Sequence, residues 1–342
     1  MLLGREADSV GETHYAASLL RGEPPERVLA ALVESAEAKR HLWRRAMQPR
    51  WQPPALSFDL ERAVLAEPAL GWDRYEELWA KLAETRDRLV IGQREYLLDH
   101  KRRFWELFNA VLVAIRDVPS PEVLEFGATQ FSAMYALIRP DLRLDVCDRP
   151  AGEHYPGFTA ARCRELFDCR NHYSVDLERL DALQENQAPR DGQYDLIVFT
   201  EVIEHIVADP LALLAWLLRK LKVTGRLYLT TPNFLRGENL ELIRQGRNPQ
   251  PLYPGSAANW DAHFHFREFV AAELFELVER AGGNVEGFYY SGCWDEGMDG
   301  GKGLPPYGPD LVGRQSLAAE SGCETPPPCE RGDLVFLLSR RT

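Results

Sequence analysis

The chain has 342 residues, 45% of them apolar and 27% charged, a balance that folds and a length that suits a catalytic domain plus a smaller one. Asp and Glu number 52 against 40 Lys and Arg, and the resulting charge of −12 repels phosphate backbones and anionic membranes, which argues against a nucleic-acid partner. No apolar run is long enough to span a bilayer and the N-terminus lacks the basic-then-apolar pattern of a signal peptide, so a cytoplasmic protein with no membrane span is expected.

In chain order, Tyr15, Leu19 and Leu20, then Val28, Leu29, Leu32 and Val33, recur at helical spacing around the break Gly22-Glu-Pro-Pro25. Residues 1–43 therefore read as short helices, and residues 1–47 as a small helical module. From Leu2 to Trp43 the run resembles a bacterial helical module in which "LGREAD…G" opens a helix, "LLRGE" closes it and a second helix ends in "ESAE". That resemblance implies the company of enzymes of surface-glycan and cell-envelope assembly. The same helices are the expected surface for homo-oligomerisation.

The Pro-rich stretch Gln48-Pro-Arg-Trp-Gln-Pro-Pro54 reads as a linker. Trp72, Tyr75, Trp79 and Leu82 then mark an amphipathic helix, and helical pattern continues through Tyr96, Phe104, Trp105, Leu107, Phe108 and Val111. An aromatic stripe at this spacing reads as core or interface, in preference to a stacking platform for a sugar or base. Residues 48–118 are thus a linker followed by amphipathic helices.

At Pro121 the pattern changes, and residues 119–342 form the third division. Val123–Phe126, Leu142–Cys147, Leu196–Phe199, Leu227–Thr230, Val285–Tyr290 and Leu334–Leu338 are the strand candidates, alternating with helical stretches. Such alternation predicts an α/β fold of parallel βαβ units covered on both faces. No helical pattern separates the last two strands, which are expected to pair antiparallel.

The first strand runs into Glu125-Phe126-Gly127-Ala128-Thr129, with a helix beginning near Ser132. A glycine in the first βα turn lets the backbone approach a nucleotide closely; an ordinary strand-to-helix turn is the alternative. The second strand ends at Asp148, 23 positions after Glu125, where a carboxylate can accept from two ribose hydroxyls or simply be solvated. Asp145 lies inside that strand and is the weaker candidate. Ser174-Val-Asp176-Leu177 follows. Next comes Tyr194-Asp-Leu-Ile-Val-Phe-Thr200-Glu201-Val-Ile-Glu204-His205-Ile, then Asp209-Pro210 as N-cap and N1 of a helix with Lys220 and Lys222 near its end and Gly225 as its C′ stop. These boundaries leave Thr200–Val207 as a loop at the ligand-binding edge. A further strand ends in Thr231-Pro-Asn233.

In this order the motifs resemble class I S-adenosylmethionine methyltransferases, whose first motif reads acidic-x-Gly-x-Gly-x-Gly. Glu125-Phe-Gly127 aligns with its start, while Thr129 and Phe131 stand where the second and third glycines would be. The resemblance implies a Rossmann-like sheet, mainly parallel with the last strand antiparallel, preceded by an all-helical N-terminal region. It also implies S-adenosylmethionine held by Glu125, Phe126, Gly127, Ala128, Thr129, Asp148, Arg149, Asp176, Leu177, Thr200 and Glu201, with Asp176 facing the adenine amino group. A nicotinamide dehydrogenase is disfavoured, since no GxxG continuation follows Gly127.

The Glu-His loop resembles that of small-molecule methyltransferases, including the ubiquinone-pathway O-methyltransferases. Methyl transfer is an in-line displacement needing no metal, and no metal ligand set is expected. The six cysteines (Cys147, Cys163, Cys169, Cys293, Cys323 and Cys329) show no CxxC spacing. A hydroxyl acceptor calls for a base: His205 is the first candidate, with a loop-ordering role as its alternative, and His263 and His265 come next. The long connection Phe234–Phe264 is expected to be a lid or pocket wall of the acceptor site in preference to a disordered stretch, and Trp294–Arg331 is either the other wall or a disordered excursion. The favoured acceptor is a hydroxyl of a sugar or other small molecule in surface-glycan biosynthesis; N-methylation of an amino sugar and a non-catalytic scaffold are the alternatives.

Overall fold

The computed structural model describes residues 9–34, 51–86, 100–150, 159–184, 187–250, 265–292 and 332–341. The chain divides into two compact units, Met1–Gln52 and Pro53–Thr342. In the first, α1 (Ser9–Leu20) and α2 (Pro25–Glu34) are joined by a turn in which Gly22 adopts φ +84° and Pro25 opens the second helix, its missing N–H costing nothing there.

The second unit begins with a π-helical turn at Arg62–Ala66 and the helices α3 (Trp72–Arg86) and α4 (Lys101–Ala114), and its later helices are α5 (Met134–Ile138), α6 (Ala160–Leu166), α7 (Pro210–Lys220), α8 (Gly237–Arg244) and α9 (Ala271–Arg280). Its sheet comprises β1 (Glu122–Phe126), β2 (Arg143–Asp148), β3 (Asn171–Ser174), β4 (Tyr194–Thr200), β5 (Leu221–Pro232), β6 (Gly283–Ser291) and β7 (Asp333–Arg340), in the order β3-β2-β1-β4-β5-β7-β6. Neighbouring pairs from β3 to β5 are parallel; β7 is antiparallel to both β5 and β6. The parallel pairing is the one the alternation predicts, and the Rossmann-like sheet with an antiparallel last strand is the one the methyltransferase resemblance implies. Strand β3 was not among the strand candidates, because Asn-His-Tyr-Ser is a short polar edge with no apolar alternation.

Strands β1, β2, β4, β5 and β7 are largely buried on both faces. Val123, Leu144, Val146, Leu196, Val198, Tyr228, Val335 and Leu337 share one cluster with Tyr75, Trp79, Leu82, Trp105 and Phe108, so the aromatic stripe of α3 and α4 is core. Residues of the opposite parity turn to the other face. There Phe126 meets Trp216 of α7 (Pro210–Lys220), with ring centroids 6.1 Å apart, and Phe336 meets Phe275 of α9 (Ala271–Arg280) at 5.4 Å. Among the described residues, no helix is long and apolar enough to cross a membrane.

Asp209 caps α7, accepting from the Leu211 N–H, and Pro210 occupies N1 as the sequence predicts. Gly225, expected as the C′ stop, lies elsewhere: α7 ends at Lys220 and β5 begins at once with Leu221. Gly225 sits inside β5 because a Cβ there would lie 2.5 Å from the Tyr194 carbonyl oxygen. Cys147 and Cys163 are buried free thiols and Cys169 is half-buried; burial pushes the Cys163 thiol up to about 12.

Candidate functional site

Because β1, β2, β4 and β5 run parallel, their C-terminal ends meet at one edge, which open α/β sheets use for ligands. Gly127, Asp148, Glu201 and Asn233 follow or close those strands. Ser291, the end of β6, pairs with Asp333, the start of β7, so the connection between these strands leaves and re-enters at this same edge.

Gly127 is exposed and adopts φ +65°, a conformation that L side chains resist, with its N–H donated to the Cys147 carbonyl at 3.1 Å. Ala128 beside it is buried, and Phe126 closes the strand beneath. Thr129 caps a 3-10 turn, Gln130–Ala133: its hydroxyl accepts from the Phe131 N–H while Ser132 accepts from the Thr129 N–H. The glycines are absent here because Phe131 is an anchor, its ring stacked 4.0 Å from Trp79 and 4.9 Å from Phe104.

Glu125 is buried beside this turn. Its Oε1 accepts from the Tyr135 hydroxyl at 3.1 Å, and its Oε2 is buried without a hydrogen-bond partner. Burial pushes its carboxyl up to about 7, against the pull of the Ser132 and Tyr135 hydroxyls. Since the folded state holds this proton more tightly than the unfolded chain, its stability contribution is complete below pH 4.5 and is lost as pH rises to about 7. That loss is about 3 kcal/mol. The urea midpoint of the unliganded protein is expected to fall between pH 5 and 8, and Glu125→Gln to make that fall shallower, with Glu204 supplying a further part of it. Parallel pH profiles for the two proteins would count against the assignment.

Asp148 is buried at the end of β2, its Oδ1 accepting the N–H of the exposed Arg149 at 2.8 Å. Asp145, inside the strand, is committed to the scaffold: it accepts from Arg170, Asn171 and the Tyr194 hydroxyl. Asp176 caps a 3-10 turn through the Glu178 N–H at 3.0 Å, and Leu177 is buried. Glu178, which the sequence reading passed over, accepts from the N–H groups of Val207 and Ala208 and so ties this turn to the loop after β4.

That loop also touches the glycine turn: Val202 Cγ2 lies 3.6 Å from where a Gly127 Cβ would be. Thr200 ends β4, and Glu201 follows at φ +54°, rare for a residue with a side chain and concentrated at functional sites. The Glu201 carboxylate accepts from Thr230 at 2.6 Å and lies 4.0 Å from Arg103. Glu204 is wholly buried. Its Oε2 accepts from Thr231 at 2.9 Å, and its Oε1, without a hydrogen-bond partner, lies 3.7 Å from His205 Nε2. Burial, then the charges of Glu201 and Asp333, raise the Glu204 carboxyl above the usual carboxylate range.

His265 joins the group from outside the loop, brought there by the Phe266 N–H, which donates to the Glu204 carbonyl at 2.8 Å. The rings of His205 and His265 stand edge to face, centroids 4.8 Å apart. His265 Nδ1 meets Glu268 Oε1 at 2.8 Å, and Arg236 and Asn239 hold the same carboxylate. Burial resists the ionisation of Glu268, but the hydrogen bonds of His265 and Arg236 outweigh it and hold the group at about 2. Thus His205 and His265 stand together, while His263 lies outside the described residues. Glu204, Glu268 and Arg103 were not predicted as site residues. The one signal in the sequence was local: carboxylates at i and i+3 in Glu201-Val-Ile-Glu204, and His265 three residues before Glu268.

Comparison with known proteins bears on this arrangement. The profile of a family described as "Methyltransferase domain" matches residues 98–286. A protein of Mycolicibacterium smegmatis named "probable S-adenosylmethionine-dependent methyltransferase" is 34% identical over 146 residues, which are 43% of this chain and 48% of that one, so the chain spans about half the length of this relative. Among solved structures, the Burkholderia thailandensis 1,6-didemethyltoxoflavin-N1-methyltransferase with bound S-adenosylhomocysteine is 14% identical, covering 86% of this chain and 94% of its own, with a TM-score of 0.42. An S-adenosylmethionine-dependent methyltransferase from Mesorhizobium loti is 12% identical, covering 68% and 96%, with a TM-score of 0.40.

Proposed function

This chain belongs to the methyltransferase-domain family, and from that premise we propose that it transfers a methyl group from S-adenosylmethionine to a hydroxyl of a small-molecule or glycan acceptor. The carrying observation is the His205–His265 pair, its His205 on the loop whose Val202 touches the Gly127 turn. The residues present suit the cofactor. The positive φ and exposure of Gly127 admit close backbone approach, the unpartnered Glu125 Oε2 can accept from an ammonium, and Asp148 stands where ribose hydroxyls would be met. Phe126, Ala128, Thr129, Arg149, Asp176, Leu177, Thr200 and Glu201 complete the proposed cofactor wall.

The cofactor supplies an electrophilic methyl: the O–C bond forms as the C–S bond breaks, its electron pair passing to sulfur. The chain's own part is to hold the acceptor oxygen in line and receive its proton. An imidazole of the pair does so, and Glu268 on His265 Nδ1 fixes the ring so that Nε2 faces outward. His263 is kept in the proposal as a third imidazole of the acceptor wall.

The N-terminal run's resemblance to modules of glycan-assembly proteins supports a surface-glycan acceptor, and exposed Leu19, Leu20 and Leu29 support self-association through that unit. The test is calorimetric titration with S-adenosylmethionine, followed by mass spectrometry of a panel of sugar acceptors. Binding and a methyl-mass product at oxygen are expected. Product at nitrogen of an amino sugar would replace the acceptor assignment, and neither heat nor thermal shift at millimolar cofactor would leave a scaffold protein.

A further inference from the structure

Glu204, His205 and His265 each offer one ligand atom, and the three atoms lie within 4.8 Å of one another. Bonds of about 2.1 Å from nitrogen and oxygen to a common ion close such a span with small side-chain adjustments. Two features mark this cluster as built for a ligand. The first is Glu204 Oε1, a carboxylate oxygen sealed in a residue with no exposure, without a hydrogen-bond partner and aimed toward His205 Nε2 at 3.7 Å. A buried oxygen of this kind costs free energy unless something electropositive meets it.

The second is the support behind His265. Its Nδ1 is taken by Glu268, itself fixed by Arg236 and Asn239, which leaves Nε2 as the outward nitrogen. A carboxylate behind an imidazole is the usual outer support of a metal-bound histidine. Glu204 is held in the same manner by Thr231 on its other oxygen. Around the cluster the facing charges are mostly negative: Glu201, Asp333 and Glu268 against Arg103 and Arg236.

We propose that Glu204, His205 and His265 bind one divalent cation of the manganese-to-zinc series, with positions left open on the exposed side of the two half-exposed imidazoles. Two imidazoles and a carboxylate suit those ions better than the all-oxygen sets preferred by calcium or magnesium. The consequence for chemistry rests on the methyltransferase reading: with the ion bound, the two imidazoles would be ligands in place of the base, and open positions on the ion would seat the acceptor oxygen and lower its pKa, with the proton leaving to water. The binding itself needs only this cluster.

The experiment uses the full chain, stripped with chelator and titrated with manganese chloride alone. Electron paramagnetic resonance is expected to show one ion bound per chain, with spin-echo modulation from imidazole nitrogen in the unaltered protein. Zinc chloride should displace it. His265→Ala is expected to weaken binding at least tenfold and to reduce the nitrogen modulation, and Glu268→Gln to weaken it by about 10- to 100-fold. The proposal is overturned if neither manganese nor zinc binds stoichiometrically, if bound manganese shows no nitrogen coupling, or if His265→Ala, folded by circular dichroism, binds as tightly as the parent. Calorimetry with S-adenosylmethionine on the same stripped sample reads the cofactor site separately, so failure of one site is not mistaken for failure of the other.

Discussion

His205→Ala and His265→Ala each lower kcat by about 10²- to 10⁴-fold toward a hydroxyl acceptor while leaving S-adenosylmethionine affinity within a few-fold. Both rings sit at the mouth of the site and neither is buried in the core, so their removal opens no cavity. The turn after Gly127, the proposed cofactor wall, is held by other contacts, through Thr129, Ser132 and Phe131. Loss in kcat with retained cofactor binding is the signature of a group that acts on the acceptor, whether directly or through a bound ion. A His205→Ala protein with unchanged turnover would remove that residue from the reaction and leave it a loop-ordering role. His265→Ala is the more informative of the two, because Glu268 then loses its imidazole partner while keeping Arg236 and Asn239. Stability should therefore change little where activity changes much.

The largest stability effect is expected at Glu106 of α4. This carboxylate is buried with Arg102, whose Nε lies 3.2 Å from Oε1, and it accepts from the hydroxyls of Tyr289 and Ser291 on β6 at 3.0 and 2.7 Å. Arg102 in turn donates to the Gly292 carbonyl at 3.1 Å. The network joins a helix laid across the sheet to its edge strand, over 180 residues away in sequence. Glu106→Ala removes the carboxylate that the buried Arg102 guanidinium and the Tyr289 and Ser291 hydroxyls all meet, and should cost about 3–5 kcal/mol. Arg102→Met/Glu106→Leu removes the buried cation together with its carboxylate, so the double variant should be less destabilised than the single one. Urea unfolding of both proteins decides the matter, and a loss below about 1 kcal/mol for Glu106→Ala is incompatible with this account.

Much of the edge where the parallel strands end is legible in the sequence because each element of it is local. A strand end, a glycine or an acid follows directly from a short apolar run, and parallel strands bring those ends to one edge without further information. The same locality hides β3, whose four residues are polar and half-exposed, and misplaces the role of Gly225, which answers to the Tyr194 carbonyl on a neighbouring strand. The acceptor half depends on long-range docking. His205 and His265 are 60 positions apart and meet only because a backbone N–H at Phe266 finds the Glu204 carbonyl. Glu204 is a buried acid in a stretch that reads as an exposed loop, and Glu268 is one of many surface-type glutamates until its three partners are seen. Residues 53–118 read as separate helices by pattern alone, yet their aromatics share one core with the strands.

The stacking of Phe131 on Trp79 also has a thermodynamic side. A glycine-rich loop is free before it closes on a nucleotide, and fixing it subtracts from affinity. Here the backbone after Gly127 is already immobilised by a ring seated among Trp79 and Phe104, with its N–H groups matched to the Thr129 and Ser132 hydroxyls. The entropy of ordering this turn is therefore lost once, when the chain folds, and no ligand arriving at the turn has to bear it again.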